Sequence, residues 1–272
     1  MSNLVTIAAI QMVSSQNCQQ NIQKAEQLIH ESVEKGAQFI LLPEYFCLIH
    51  SDPKAKFNIA EPFGNGPIQD MLSRLAKKYN IWLAGGSMPL DVGETDKVTN
   101  TLLLYAPDGS LHTRYDKVHL FSIDTPTMRF NEGDTMVRGN QVVTADLPFG
   151  RVGFAICYDI RFPAFFVAMG ELDLILMPAA FTYPTGQAHW ELLLRARAID
   201  NQCFVLAAAQ GGKHQSGRQT WGHSMIVDPW ANIIECLPEG EGVVITTVDF
   251  DKVKEVRSSL PVVRDRHLLT QL

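Results

Sequence analysis

The sequence predicts an α/β layered domain in which two sheets pack face to face with helices outside each, an αββα sandwich. Three observations lead there. Extended apolar runs alternate with amphipathic helical stripes along the 272 residues, the pattern of layered α/β domains. Runs such as "QFILLP" and "LDLILMP" are apolar on both sides, so their sheets must be covered on both faces. No long linker, low-complexity segment or short repeat breaks the alternation. Residues 1–272 are therefore expected to form a single domain, with residues 260–272 as a C-terminal tail.

The elements follow in order. Leu4 to Met12 alternates in small and β-branched residues and reads as a strand. Ile22, Ala25, Ile29 and Val33 form one helical stripe, which Gly36 stops. "QFILLPEYF" is a strand ended by Pro43 and Glu44, and residues 67–79 are helical through Ile68, Met71, Leu72, Leu75 and Tyr79. "IWLAGGS" is the next strand. Asp108-Gly109 then sits between two extended runs, a hairpin signal. Residues 151–157 read as a strand, 162–170 as a short helix and "LDLILMP" as a strand. Residues 187–200 are a helix facing inward through Trp190, Leu193, Leu194 and Ala198. "CFVLAAAQ", "GHSMIVDP" and "GVVITTVDF" are strands, 251–258 is a last helix, and Arg264 and Arg266 lie in the polar tail.

Composition narrows the partners. Charged residues make up 19% of the chain and the net charge is -6. No basic face or Lys/Arg cluster stands out, so nucleic acid is not an expected partner. Five cysteines at wide spacing, with no CxxC, argue against a disulfide framework and a zinc ribbon. The amino terminus lacks a basic n-region, and no apolar stretch is long enough to span a membrane. A cytoplasmic protein without membrane contact is expected.

Three polar residues each stand where an extended run ends: Glu44 after "FILLP", Lys117 after "LHTRYD" and Cys157 after "VGFAI". Strand ends in α/β sheets gather into ligand-binding crevices. Taken singly, Glu44 reads as a loop carboxylate or helix cap, Lys117 as a surface lysine, and Cys157 as either core or nucleophile. Their conjunction points to chemistry. An ammonium favours thiolate. A carboxylate can take the thiol proton and return it to a leaving amine. The ammonium can also hold an oxyanion together with a backbone amide.

"LLPEYF", "YDKVHLF" and "GFAICYDIRFP", in that order, resemble the three signature segments of the nitrilase superfamily of carbon–nitrogen hydrolases. The resemblance covers nearly the whole chain. It implies the αββα sandwich, a homodimer or higher homo-oligomer, no cofactor and no metal. It also implies a Glu-Lys-Cys site: Glu44 as base, Lys117 as oxyanion donor, Cys157 as nucleophile, with the Tyr158 amide completing the oxyanion hole. "RFNEGD" resembles the segment holding the family's second glutamate, which makes Glu132 a candidate to orient Lys117 and the attacking water; otherwise it is a loop carboxylate.

Within the superfamily, "TGQAHWELLLRARAIDNQCFV" and "WGHSMIVDPW" resemble the amidase branch that acts on 2-oxoglutaryl amides. The implied activity is hydrolysis of deaminated glutathione to 2-oxoglutarate and cysteinylglycine through a thioester, with 2-oxoglutaramate as the alternative substrate. Ala164 and Ala231 depart from the branch pattern, where Glu and Gly are common. Arg161, four residues past Cys157, is a candidate to grip the keto-acid carboxylate, or else a structural partner of Asp159. Phe181, Thr182 and Thr185 line the pocket by resemblance and are turn residues by composition. Three other readings compete. His50, His119, His189 and His223 are too scattered for a metal motif. "FGNGP" and "LAGGS" match neither nucleotide-binding glycine pattern. A non-catalytic binding or scaffold protein on the same fold is the third.

Overall fold

Alternating side-chain parity builds both sheets of the computed structural model, which describes residues 3–94, 96–125 and 128–266. The first sheet has seven strands: β1 (Leu4–Gln11), β2 (Phe39–Leu41), β3 (Trp82–Ala84), β4 (Met88–Asp91), β5 (Val98–Tyr105), β6 (Leu111–Asp116) and, from the chain's far end, β17 (Gly242–Asp249). β1, β2 and β3 are parallel, and β5 and β6 are the hairpin around Asp108-Gly109. β7 (Ser122–Thr125) and β8 (Met128–Asn131) form a separate hairpin. The second sheet runs β16-β15-β12-β11-β10-β9, with β9 (Thr144–Leu147), β10 (Gly150–Phe154), β11 (Leu174–Ala179), β12 (Phe204–Ala209), β15 (Ser224–Val227) and β16 (Ile233–Leu237). β13 (Gly211–Lys213) and β14 (Gln219–Trp221) are a short ribbon outside it.

In β1, Ile7 and Ala9 point between the sheets and meet a core that includes Phe154, Leu176 and Leu206. Ala8 and Ile10 point the other way, under the helices α1 (Cys18–Glu34) and α2 (Pro67–Tyr79). Asn17 caps α1, its side chain accepting the Gln20 amide at 3.1 Å. Pro67 opens α2, and Asn80 closes it in the left-handed conformation at φ 53°. The second sheet's outer face carries α3 (Pro163–Ala168) and α4 (Tyr183–Asn201), whose Phe166, Trp190 and Leu194 are buried. The layers are thus helix, sheet, sheet, helix. α5 (Asp251–Ser259) and α6 (Val262–Asp265) follow, with Val263 buried. Residues 267–272 of the expected tail lie outside the described residues.

The sheets are tied together beside the ends of β1 and β12. Met12 donates its amide to Ala209 O at 3.4 Å and accepts from Gly211 N at 2.9 Å. Gln11 Oε1 accepts the Ser224 amide at 2.8 Å. This seam fixes one end of the sandwich, where the strand-end residues gather. Two local differences from the sequence expectation stand out. The strand before Cys157 stops at Phe154, because the chain turns into a 3-10 segment, Cys157–Arg161, with Cys157 at φ 51°. The helix expected over 187–200 begins earlier, among the expected turn residues: Tyr183 begins α4 with Pro184 in its first turn. Ala231, where the family resemblance leads one to expect glycine, holds φ 64° and is buried. Only glycine takes that region without a steric cost.

Candidate active site

Glu44, Lys117 and Cys157 meet at that end of the sandwich. Glu44 leaves β2 after Leu42 and Pro43, and Tyr45 behind it takes φ 55°. Lys117 directly follows β6. Its Nζ is fully buried and lies 2.8 Å from Glu44 Oε1 and 2.9 Å from Glu132 Oε2. Asn100 Nδ2 donates to Glu44 Oε1 at 2.9 Å, and the Ala180 amide donates to Oε2 at 2.8 Å. Both oxygens of the carboxylate are therefore held in place. Glu132 is held by the Tyr45 hydroxyl at 2.6 Å and the Phe121 amide at 2.7 Å. Asn100 also accepts the Lys117 amide on its own carbonyl at 2.9 Å, so one residue positions both the acid and the amine.

Electrostatics follow from the burial of two carboxylates around one ammonium. Burial alone would lower the Lys117 pKa, but Glu132, Glu44 and Cys157 outweigh it and leave it above the ordinary 10.5. Burial likewise opposes ionisation of Glu132, yet Lys117, Tyr45 and the Phe121 amide hold it below 4.5. Burial pushes the Cys157 thiol well above its usual range, and Glu44 pushes it further. Lys117 and the Ala180 amide pull the other way without prevailing. A neutral thiol next to a fixed carboxylate suits attack coupled to proton transfer. The left-handed backbone of Cys157, an uncommon state for a side-chain-bearing residue, starts the 3-10 turn. The first amides of a helical turn lack partners within it, and that of Tyr158 follows the sulfur directly.

Asp159 keeps this turn in register with the Lys117 segment. Its buried carboxylate accepts from the Ile156 amide at 2.8 Å, the Tyr115 hydroxyl at 2.6 Å and the His119 amide at 2.9 Å, and contacts His119 Nδ1 at 2.7 Å. Asp159 is thereby committed to these partners. Arg161 instead approaches His189 Nδ1 at 3.4 Å and lies over the Phe181 ring. A narrow cleft at the sulfur is lined by Glu44, Cys157, Arg161, Phe181, Thr182 and Thr185 among others. The Thr182 and Thr185 hydroxyls are 2.7 Å apart. Among the described residues no three His, Cys, Asp or Glu side chains cluster as a metal site, and no helix is long and apolar enough to cross a membrane.

The sequence profile of the carbon-nitrogen hydrolases matches residues 6–258. The chain belongs to that family. A deaminated glutathione amidase of Yersinia enterocolitica is 38% identical to this carbon-nitrogen hydrolase, over 98% of this chain and 94% of that protein. Among solved structures, Nit3 of Saccharomyces cerevisiae, a member of branch 10 of the nitrilase superfamily, superposes with TM-score 0.86 at 30% identity and covers 95% of both chains. The C. elegans NitFhit protein gives TM-score 0.88 at 36% identity; the match covers 96% of this hydrolase and 64% of that longer chain.

Three residues of the site were not readable as such from the sequence of this hydrolase. Asn100 interrupts an apolar strand, "VTNTLLLY", and a buried amide in such a run is a usable signal. Ala180 contributes only its backbone. Arg218, from the loop between β13 and β14, reaches the cleft from a polar segment with no distinguishing pattern.

Proposed function

We propose that this protein is a cysteine-dependent amidase that cleaves deaminated glutathione to 2-oxoglutarate and cysteinylglycine. The observation carrying the proposal is the buried cluster of Glu44, Lys117 and Glu132 beneath a cleft that holds Cys157 and Arg161. The name of the Yersinia enterocolitica relative, a deaminated glutathione amidase, agrees with it. Glu44 accepts the thiol proton as Sγ attacks the amide carbonyl. Lys117 Nζ and the Tyr158 amide stabilise the oxyanion. The C–N bond then breaks, and Glu44 passes the proton to the departing amine, leaving a thioester on Cys157. Glu44 next deprotonates water, which Glu132 and Lys117 help to orient. Attack on the thioester releases 2-oxoglutarate and restores the thiol.

Arg161 reads the keto-acid carboxylate, with Phe181 beside it and Thr182 and Thr185 lining the pocket where cleft and groove meet. Arg161→Lys keeps the charge but loses the two-pronged grip. Losing one of two charge-assisted bonds should raise KM for keto-acid amides roughly tenfold with kcat little changed; steady-state kinetics at fixed pH measures this, and an unmoved KM removes Arg161 from the subsite. The substrate assignment is tested by offering deaminated glutathione and 2-oxoglutaramate separately and following amine release. A higher kcat/KM for deaminated glutathione is expected. The opposite order would make the enzyme an omega-amidase, and turnover of neither would reject both substrates.

A further inference from the structure

Arg218 is a cation that the hydrolytic cycle leaves unused. Its Nη2 donates to the Ala180 carbonyl at 3.0 Å, on the residue whose amide holds Glu44. That is its one side-chain hydrogen bond among the described residues. The buried cluster beside it pairs two carboxylates, Glu44 and Glu132, with one ammonium, Lys117. A substrate that carries a carboxylate at each end enters against this negative surplus. Cations in the walls must offset it.

Arg161 and Arg218 both line the cleft over the sulfur. Arg218, unlike Arg161, also lines the adjoining groove, which shares Phe121, Thr182 and Thr185 with the cleft. This difference decides which half of the substrate each arginine meets. The acyl half stays bonded to Cys157 after the C–N bond breaks, so it occupies the part of the cleft that Arg161 lines and the groove does not share. The amine has to depart through the groove, past Arg218. An extended two-residue amine spans at most about 7 Å from its nitrogen to its carboxylate. Further along, Lys56 Nζ sits in the groove wall, bonded to Thr135 Oγ1 at 2.9 Å.

We infer that Arg218 holds the carboxylate of the departing amine and so makes the enzyme selective for amides whose leaving group is an amino acid or short peptide with a free carboxylate. The inference rests on the acyl-transfer reading above and adds the determinant of leaving-group choice.

Three amides of one 2-oxoglutaryl group test it: the cysteinylglycine amide, the same compound with its terminal carboxylate converted to carboxamide, and the simple ammonia amide. The wild type should prefer the free carboxylate over the carboxamide roughly ten- to a hundredfold in kcat/KM, expressed in KM. Arg218→Gln should erase most of that ratio, and Arg218→Lys should keep part of it, since a point charge remains. A wild type indifferent to the terminal carboxylate overturns the inference, as does a ratio unchanged in Arg218→Gln. Should Arg218→Gln fail to fold, the wild-type ratio and Arg218→Lys decide. A wild type inactive on all three sinks the acyl-transfer reading too. One that turns them over without the ratio sinks this inference alone.

Discussion

Cys157→Ala is expected to abolish turnover of every amide substrate, with a loss in kcat on the order of 10⁶-fold, the scale seen when a nucleophile is removed from a cooperating set. In the proposed mechanism the sulfur alone forms a bond to substrate, while its neighbours act on charge and protons. Alanine removes that bond and leaves Glu44 and Lys117 paired at 2.8 Å. The variant should therefore fold and still bind substrate, which separates a lost reaction from a lost site. The same variant reports the resting state of the sulfur. Burial and Glu44 hold the thiol neutral, so wild type minus Cys157→Ala should show no thiolate absorbance near 240 nm from about pH 6 to about pH 9, where a free thiol of ordinary pKa begins to ionise. A thiolate signal at neutral pH would mean that the proton has already left before substrate binds and that Glu44 is not needed to remove it. Simple alkylation is a poorer probe, because Cys236 is exposed whereas Cys157 is buried.

How far the sequence could be read depended on whether a residue's setting is local. Glu44 and Lys117 stand at strand ends because Pro43 stops one run and a polar residue stops the other, and both signals lie within a few positions. The facing sheets were legible from strands apolar on both sides, such as Leu174–Ala179, whose every residue is buried. The three residues that end their runs were therefore visible, though only the fold shows Lys117 Nζ between two carboxylates. Cys157 was harder. Ala155 and Ile156 continue the apolar pattern after the ladder has ended, and nothing in their side chains announces the positive φ that follows. Arg161 and Asp159 illustrate the opposite trap. Proximity in sequence leaves an ion pair open as the alternative to a substrate contact, but Asp159 is taken up by donors from Tyr115 and His119, some forty residues upstream. Arg218 was invisible for a related reason, since the role proposed for it comes from lining both cavities.

Lys117→Met should lower kcat by at least about 100- to 1000-fold, the cost of one oxyanion donor, and should also change how stability responds to pH. In the wild type Lys117 offsets one of the two carboxylate charges from inside the cluster. Glu132 has its pKa held down, so its contribution to stability is complete above about 4.5 and fades as pH falls through the folded value. Lys117 has its pKa held up, so its contribution is complete below 10.5 and fades as pH rises through the folded value. The fold should therefore be insensitive to these groups across the neutral range. Methionine fills much of the same volume but leaves Glu44 and Glu132 facing each other without the charge that lay within 3 Å of both. Removing one partner of a buried ion pair costs about 3–5 kcal/mol, unless a carboxylate takes up a proton. Its folded pKa would then stand above the unfolded one, and the sign reverses: stability is retained at acid pH and lost as pH rises. Thermal unfolding of Lys117→Met between about pH 5 and pH 8 should show a falling midpoint where the wild type is flat. A variant with a flat profile would mean that the two carboxylates find other compensation, with Lys56, whose burial lowers it to about 8, and Arg218 nearest to hand. A variant that keeps its kcat would place the oxyanion elsewhere than at Nζ.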